Sequence, residues 1–250
     1  MREKFSTRAA YNTRMHAAHA YGVIHISWLV GIAAMSILLA LVCSRNLIPD
    51  RYVRIALACL LAGGELQRLY TDPFDYPHHL PFNLCNVTAW VAVVACLTLW
   101  PMAVEFAYFA GFAGAGMALL TPDMGSVWHT RFFVNHGAII LAGSALVFGR
   151  LSPLRRGAIW RAYGCFVLYI GLVGLYDWQS GANFAYLRRK PGTGTLLSLL
   201  GPWPYYLFAG FAVALFLFWL LWLPARPRTA PVEAREEERV APPIGHAEHS

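Results

Sequence analysis

The chain has 250 residues, of which 58% are hydrophobic and 13% charged, and its formal net charge is +7. A soluble domain of this length needs more charge on its surface, so the composition excludes an ordinary soluble protein and predicts a polytopic membrane protein. The basic residues lie beside apolar segments, where they set topology and meet lipid headgroups. The positive charge therefore does not indicate a nucleic-acid partner.

Seven apolar segments follow one another, each near the length of about 20 residues that a bilayer-spanning helix needs. They are Tyr21–Cys43, Tyr52–Tyr70, Phe82–Leu99, Met102–Leu120, Phe132–Phe148, Ile159–Trp178 and Pro204–Leu223. This pattern predicts an all-α fold, a polytopic helical bundle with about seven transmembrane helices that occupies residues 21–223. A polar N-terminal segment, residues 1–20, precedes it, and a charged tail rich in proline, residues 224–250, is predicted to be disordered.

Most of the polar residues are predicted to lie on one face of the membrane. Alternating spans put the N-terminal segment and the loops 2–3, 4–5 and 6–7 on the same side, and seven of the nine histidines lie toward it. Glu65, Cys85 and His136, from three different helices, share a depth of roughly 6–7 Å below this face, at about 1.5 Å per residue. Because an ionisable group inside the membrane costs free energy unless it has a partner, we expect these three to share one polar pocket. Basic residues nearly balance across the two faces and favour an outside N-terminus only slightly.

The pair Cys85 and His136 has the residue types of a nucleophile and its base. A thiol attacks as thiolate, and an adjacent imidazole can take its proton. Among the five cysteines, Cys85 is the one with polar residues on both sides, and no CxxC spacing indicates a disulfide framework or a zinc site. Amide or hydroxyl donors on Asn83, Asn86 or Tyr186 are candidates to stabilise an oxyanion.

A shallow intramembrane site suits esters that lie just beneath lipid headgroups, and nearby basic residues could hold a phosphate. The leading hypothesis is therefore acyl transfer to or from a phospholipid, with membrane lipids as partners and no cofactor or metal. The candidate substrate-binding residues are Asn83, Asn86, Glu65, Arg68, Arg131, Asn183, Tyr186 and Lys190.

Several other interpretations stay open. Glu65 and Arg68 are three residues apart and can neutralise each other inside the bundle, and Asn83 or Asn86 can cap the third helix. A metal site is a different class, with His25, His78, His79, His129 and His136 as ligands, although no HxxxH or HxxEH spacing occurs. A third class is a transporter or a non-catalytic membrane protein whose polar residues line a passage.

Three segments carry a resemblance to a known family: "LPFNLC", "TRFFVNHGAIIL" and the late stretch "GANFAYLRRKPGTGTLLSLLGPWPYY". Together they resemble the YwaF-like family of bacterial integral membrane proteins, a seven-span group, over about Tyr21 to Leu223. That family is similar, more distantly, to the transmembrane protein 164 group, which is regarded as a cysteine-dependent phospholipid acyltransferase. The resemblance implies a bacterial inner-membrane protein with Cys85 at the nucleophile position and His136 at the histidine position. Asn83 stands where the bacterial motif commonly has histidine.

Overall fold

The computed structural model describes residues 22–122, 130–190 and 199–226, and within them every regular element is helical. The seven long helices are α1 (Val23–Ser44), α2 (Asp50–Thr71), α3 (Leu84–Thr98), α4 (Pro101–Leu120), α5 (Thr130–Gly143), α6 (Ala158–Ser180) and α7 (Tyr205–Ala225). A π-helical turn, Ser144–Phe148, extends α5, and a short 3₁₀ turn, Phe184–Tyr186, follows α6. When the π-helical turn is counted with α5, the ends of all seven lie within two residues of the predicted spans, and the all-α bundle is confirmed.

Five of these helices in the described part of the chain are long and apolar enough to cross a membrane: α1, α4, α5 with its π-helical turn, α6 and α7. The other two deviate in different ways. Helix α2 has charged residues near both ends, among them Arg54 and Glu65. Helix α3 has 15 residues, which gives a length of about 22 Å against a hydrocarbon core of about 30 Å. Both α2 and α3 contribute to the candidate site below.

Helix α4 forms the centre of the bundle. More than half of its residues are buried, and it packs against α3, α5, α6 and α7. The two-residue connection Leu99–Trp100 joins α3 and α4 as the antiparallel hairpin that the sequence predicts. Small residues along α4 let its neighbours approach closely. At Gly111 a Cβ atom would lie 2.8 Å from Ile139 Cγ2 on α5, so this position accommodates no side chain without a shift.

Tyrosine hydroxyl groups attach α7 to the centre. Tyr108 on α4 donates a hydrogen bond to the Leu221 carbonyl at 2.9 Å, and Tyr163 on α6 donates to the Phe211 carbonyl at 3.1 Å. Phe218 of α7 is buried among aromatic rings of α4 and α6. These contacts fix the last helix against the core through both apolar burial and hydrogen bonds.

A buried ion-pair cluster lies at the membrane face opposite the candidate site. The Glu105 carboxylate, 2% exposed, accepts two hydrogen bonds from Arg155 at 2.9 and 3.2 Å and two from Arg161 at 2.7 and 2.8 Å. Both oxygens are thus satisfied by bidentate guanidinium groups, the geometry in which a buried carboxylate is best compensated. The cluster ties the start of α4 to the start of α6.

Some predicted segments lie outside the described residues. These are the polar N-terminal segment 1–20, residues 227–250 of the charged tail, His129 and the 191–198 stretch. The disorder predicted for the tail and the separate status of the N-terminal segment therefore stay predictions.

Candidate functional site

One cavity of about 220 Å³ lies between α2, α3 and α5, at the end of the bundle where α2 finishes and α3 and α5 begin. It is lined by Leu61, Glu65 and Arg68 of α2, by Cys85, Asn86 and Ala89 of α3, and by Arg131, Phe132, Asn135, His136 and Ile139 of α5. Within each helix these positions recur at three- and four-residue intervals, which is the spacing of one helical face. Six of the ten predicted site residues line this cavity.

Cys85 is the second residue of α3, and the start of this helix lacks a side-chain cap. Asn83 occupies the N-cap position with extended backbone but makes no capping hydrogen bond; its Oδ1 instead accepts from the Ala185 N–H at 3.2 Å. Within the described residues, the N–H groups of Leu84, Cys85 and Asn86 have no hydrogen-bond acceptor. The positive end of the α3 dipole therefore meets the half-buried thiol and can stabilise negative charge beside it.

His136 has a defined tautomer. Its Nδ1 lies 2.8 Å from the Phe132 carbonyl oxygen, one turn earlier in α5. Because a carbonyl oxygen can only accept, Nδ1 carries the proton and Nε2 keeps its lone pair. Among the described residues Nε2 has no hydrogen-bond partner. An imidazole held in this way can act as a general base through Nε2.

Glu65 links α2 to α3 at the inner wall of the cavity. Its carboxylate, 5% exposed, accepts from Asn86 Nδ2 at 2.9 and 3.1 Å and from Arg68 Nε at 3.3 Å. Arg68 Nη1 also donates to the His79 carbonyl at 3.3 Å. The predicted pairing of Glu65 with Arg68 is present. Asn86 was predicted to cap α3 or to donate to an oxyanion, and in the structure its amide donates to Glu65.

Arg131 lies at the exposed end of the cavity. Its Nη1 contacts Asp72 Oδ1 at 2.8 Å and Thr71 Oγ1 at 2.7 Å, and its side chain is 39% exposed. The guanidinium group is thus held at the level where the interface begins, with further donors available to an anion.

Asn183, outside the residues that line the cavity, organises the loop after α6. Its Oδ1 accepts from the N–H groups of Arg188 and Arg189, both at 2.9 Å, and its Nδ2 donates to the Arg189 carbonyl at 2.9 Å. These bonds engage both the oxygen and the nitrogen of the Asn183 amide within the protein. The predicted substrate-binding role of Asn183 stays a prediction.

Tyr186 and Lys190 likewise lie away from the cavity lining. The Tyr186 carbonyl accepts a short hydrogen bond from the Tyr206 hydroxyl, and Lys190 Nζ lies 5.2 Å from the centre of the Tyr206 ring. Both contacts dock the loop onto α7. Asn83 also contacts this loop, through the Ala185 N–H. The substrate-binding role predicted for Tyr186, Lys190 and Asn83 stays a prediction.

Three of the proposed histidine ligands have other polar groups as partners. His25 is buried and its Nε2 donates to the Leu119 carbonyl at 2.8 Å. His78 Nδ1 lies 3.3 Å from Asp75 Oδ2, and His79 Nδ1 donates to the Pro73 carbonyl at 3.1 Å. Across the described ranges no three His, Cys, Asp or Glu side chains form a group that could hold a metal ion.

Asn135 is a cavity residue to which the sequence assigned no role. It lies on the face of α5 that also presents Arg131 and Ile139, four residues before and after it. That four-residue spacing is the signal in the sequence that could have selected it.

Comparison with known proteins gives one match. The TMEM164 family model matches residues 18–223, a range that includes all the helices up to Leu223 and every residue of the cavity. No curated protein is significantly similar to the chain, and no solved structure is either.

Proposed function

Because the chain belongs to the TMEM164 family, we propose that it is an integral membrane enzyme that transfers or hydrolyses the acyl chains of phospholipids. In this proposal Cys85 is the nucleophile and His136 is the general base. The observation that carries it is the shared cavity, which is lined by both side chains and lies at the uncapped start of α3.

The states of the two side chains support these roles. His136 Nε2 is an acceptor without a partner in the described residues, so it is available to take the thiol proton. The N–H groups in the first turn of α3, which have no acceptor among the described residues, place partial positive charge at the start of the helix beside Cys85, where it would stabilise the negative charge that develops during attack.

Each step of the reaction conserves atoms and charge. The Cys85 sulfur forms a bond to the ester carbonyl carbon while His136 Nε2 takes the thiol proton. The carbon–oxygen bond of the ester then breaks, and the departing lysophospholipid hydroxyl receives that proton. A second alcohol, or water in hydrolysis, attacks the thioester with the same histidine as base, and the sulfur leaves as the thiol.

The position of the cavity supports a lipid substrate. It lies near the end of the bundle, where ester groups lie just below the headgroups, and Arg131 is held at its exposed end by Asp72. A guanidinium group at this level suits a lipid phosphate. We also propose that the protein belongs to the narrower YwaF-like group and lies in a bacterial inner membrane. The sequence motif of the loop after α6 supports this part of the proposal.

Acyl transfer in proteoliposomes tests the proposal. Transfer of a labelled acyl chain from phosphatidylcholine to a lysophospholipid should disappear in Cys85→Ala and fall by about 10²–10⁴-fold in His136→Ala. Cys59→Ala is the matched control, because Cys59 is exposed on the outside of α2 and should leave the rate unchanged. Transfer at the wild-type rate in Cys85→Ala would exclude Cys85 as the nucleophile.

A further inference from the structure

We propose that Asn135 is a further catalytic residue, whose side-chain amide donates a hydrogen bond to the oxyanion formed during acyl transfer, and that Gly64 fixes the position of this amide. The inference rests on the proposed function, since it concerns the same cavity. It adds a group to the Cys85–His136 pair: Asn135 lies in the segment "TRFFVNHGAIIL", but the resemblance assigns it no role.

The hydrogen-bonding capacity of Asn135 is unused. The residue lines the cavity next to His136, and its amide makes no hydrogen bond in the described part of the chain. An amide at membrane depth without a partner costs free energy, so a position like this is most readily explained by a ligand that completes it.

The other predicted amide donors either contact Glu65 or lie outside the cavity lining. Asn86 Nδ2 donates to both oxygens of Glu65, and Asn83 contacts the backbone of Ala185. Asn83 and Asn183 do not line the cavity, and the Asn86 amide that does is directed at Glu65. Asn135 supplies one from the opposite wall, on α5.

Gly64 determines where the Asn135 amide lies. A Cβ atom built on Gly64 would overlap Asn135 Oδ1 and would lie 3.0 Å from Cγ and 3.4 Å from Nδ2. The amide therefore packs directly on the α2 backbone, with its oxygen toward Gly64 and its nitrogen farther away. Any side chain at Gly64 must displace the amide. The preceding Gly63 faces outward, with no atom within 4 Å of its Cβ position.

The amide acts at one point in the reaction. When the Cys85 sulfur bonds to the ester carbonyl carbon, the carbonyl π electrons move onto oxygen. An N–H of Asn135 Nδ2 donates to this oxygen until the carbon–oxygen bond to the leaving alcohol breaks and the carbonyl reforms. Such a donor stabilises the transition state and contributes little to the resting thiol.

Two reactions of the same thiol separate catalysis from structure. With full-length protein in liposomes, acylation of Cys85 by 4-nitrophenyl laurate passes through an oxyanion, whereas alkylation by iodoacetamide displaces iodide at a saturated carbon and forms none. In Asn135→Ala we expect acylation to slow by about 10²–10³-fold. Alkylation of Cys85, followed by peptide mass spectrometry, should keep its wild-type rate.

The two adjacent glycines provide a matched pair. Gly64→Ala should slow acylation in the same direction as Asn135→Ala and leave alkylation unchanged, and Gly63→Ala should change neither rate. In the Asn135→Ala background Gly64→Ala should have no further effect, because both changes remove the same hydrogen bond.

The outcomes distinguish this inference from the proposed function. Wild-type acylation in Asn135→Ala, together with complete loss in Cys85→Ala, would overturn the role of Asn135 and leave the nucleophile in place. Equal loss of acylation and alkylation in Asn135→Ala would also overturn it, because the residue would then hold the site together. If that variant does not fold, Gly64→Ala decides by the same two rates. Acylation at the normal rate in Cys85→Ala would overturn the proposed function itself.

Discussion

At the scale of single residues, hydrogen-bond partners distinguish the residues proposed to react from the structural ones. Among the described residues His136 Nε2 has no partner, because the Phe132 carbonyl accepts from the other ring nitrogen, whereas His25 donates its Nε2 to the Leu119 carbonyl at the end of α4. Both are histidines near the same membrane face. Their partners, which the sequence does not state, decide which one can serve as a base.

Glu65 should be far more important for stability than the similar acid Asp72. In Glu65→Ala the buried donors of Asn86 and Arg68 lose their acceptor, so we expect the free energy of unfolding to fall by about 3–5 kcal/mol. Asp72→Ala breaks an ion pair with Arg131 in which both side chains are more than one-third exposed, and the cost should be at most about 1 kcal/mol. Thermal unfolding midpoints in detergent would measure both. Equal shifts would contradict the structural role of Glu65.

Residue type and depth predict Cys85 and His136 but not Asn135. The depth of a residue below the membrane face follows from its position along the helix, which the sequence supplies. Successive residues on a helix point about 100° apart, so whether Asn135 faces the cavity as His136 does depends on the rotation of α5. That rotation depends on how α5 packs against α2, including the close approach at Gly64.

At the scale of elements, the helices themselves follow from hydrophobic length, while their contacts depend on small residues. Helix ends were predicted to within two residues, counting the π-helical turn with α5, because apolar runs bounded by proline and charge leave few alternatives. The late loop behaves differently. Its sequence motif led to the prediction that Asn183 binds a substrate, whereas the Asn183 side chain hydrogen-bonds to the backbone of Arg188 and Arg189 and stabilises the loop. A sequence motif does not distinguish a ligand contact from a loop-forming one.

The packing of α4 against α5 should depend on Gly111. Gly111→Ala places a methyl group 2.8 Å from the stiff branched side chain of Ile139, so we expect a loss of about 1–3 kcal/mol in the free energy of unfolding. Gly116→Ala, on the same helix, meets no atom within 4 Å and should be neutral or slightly stabilising. The difference between their unfolding midpoints is the measurement. Identical midpoints would show that α4 and α5 do not pack as described.

At the scale of the whole molecule, the two ends of the bundle are chemically different. At one end Glu105 is fully neutralised by Arg155 and Arg161 and fixes α4 to α6. At the other end a cavity remains open between α2, α3 and α5, with a thiol, an imidazole and an amide on its walls. The ion-pair cluster therefore has a structural role, whereas the cavity is where the proposed substrate would bind.

Trapping an acyl-enzyme tests the central claim most directly. Full-length protein incubated with phosphatidylcholine vesicles and no acyl acceptor, then digested and analysed by mass spectrometry, should carry one acyl chain on the peptide that contains Cys85. Neutral hydroxylamine should remove the chain, as expected for a thioester, and Cys85→Ala should carry none. Acyl transfer between lipids without a thioester at Cys85, or with the chain on another residue, would contradict the account.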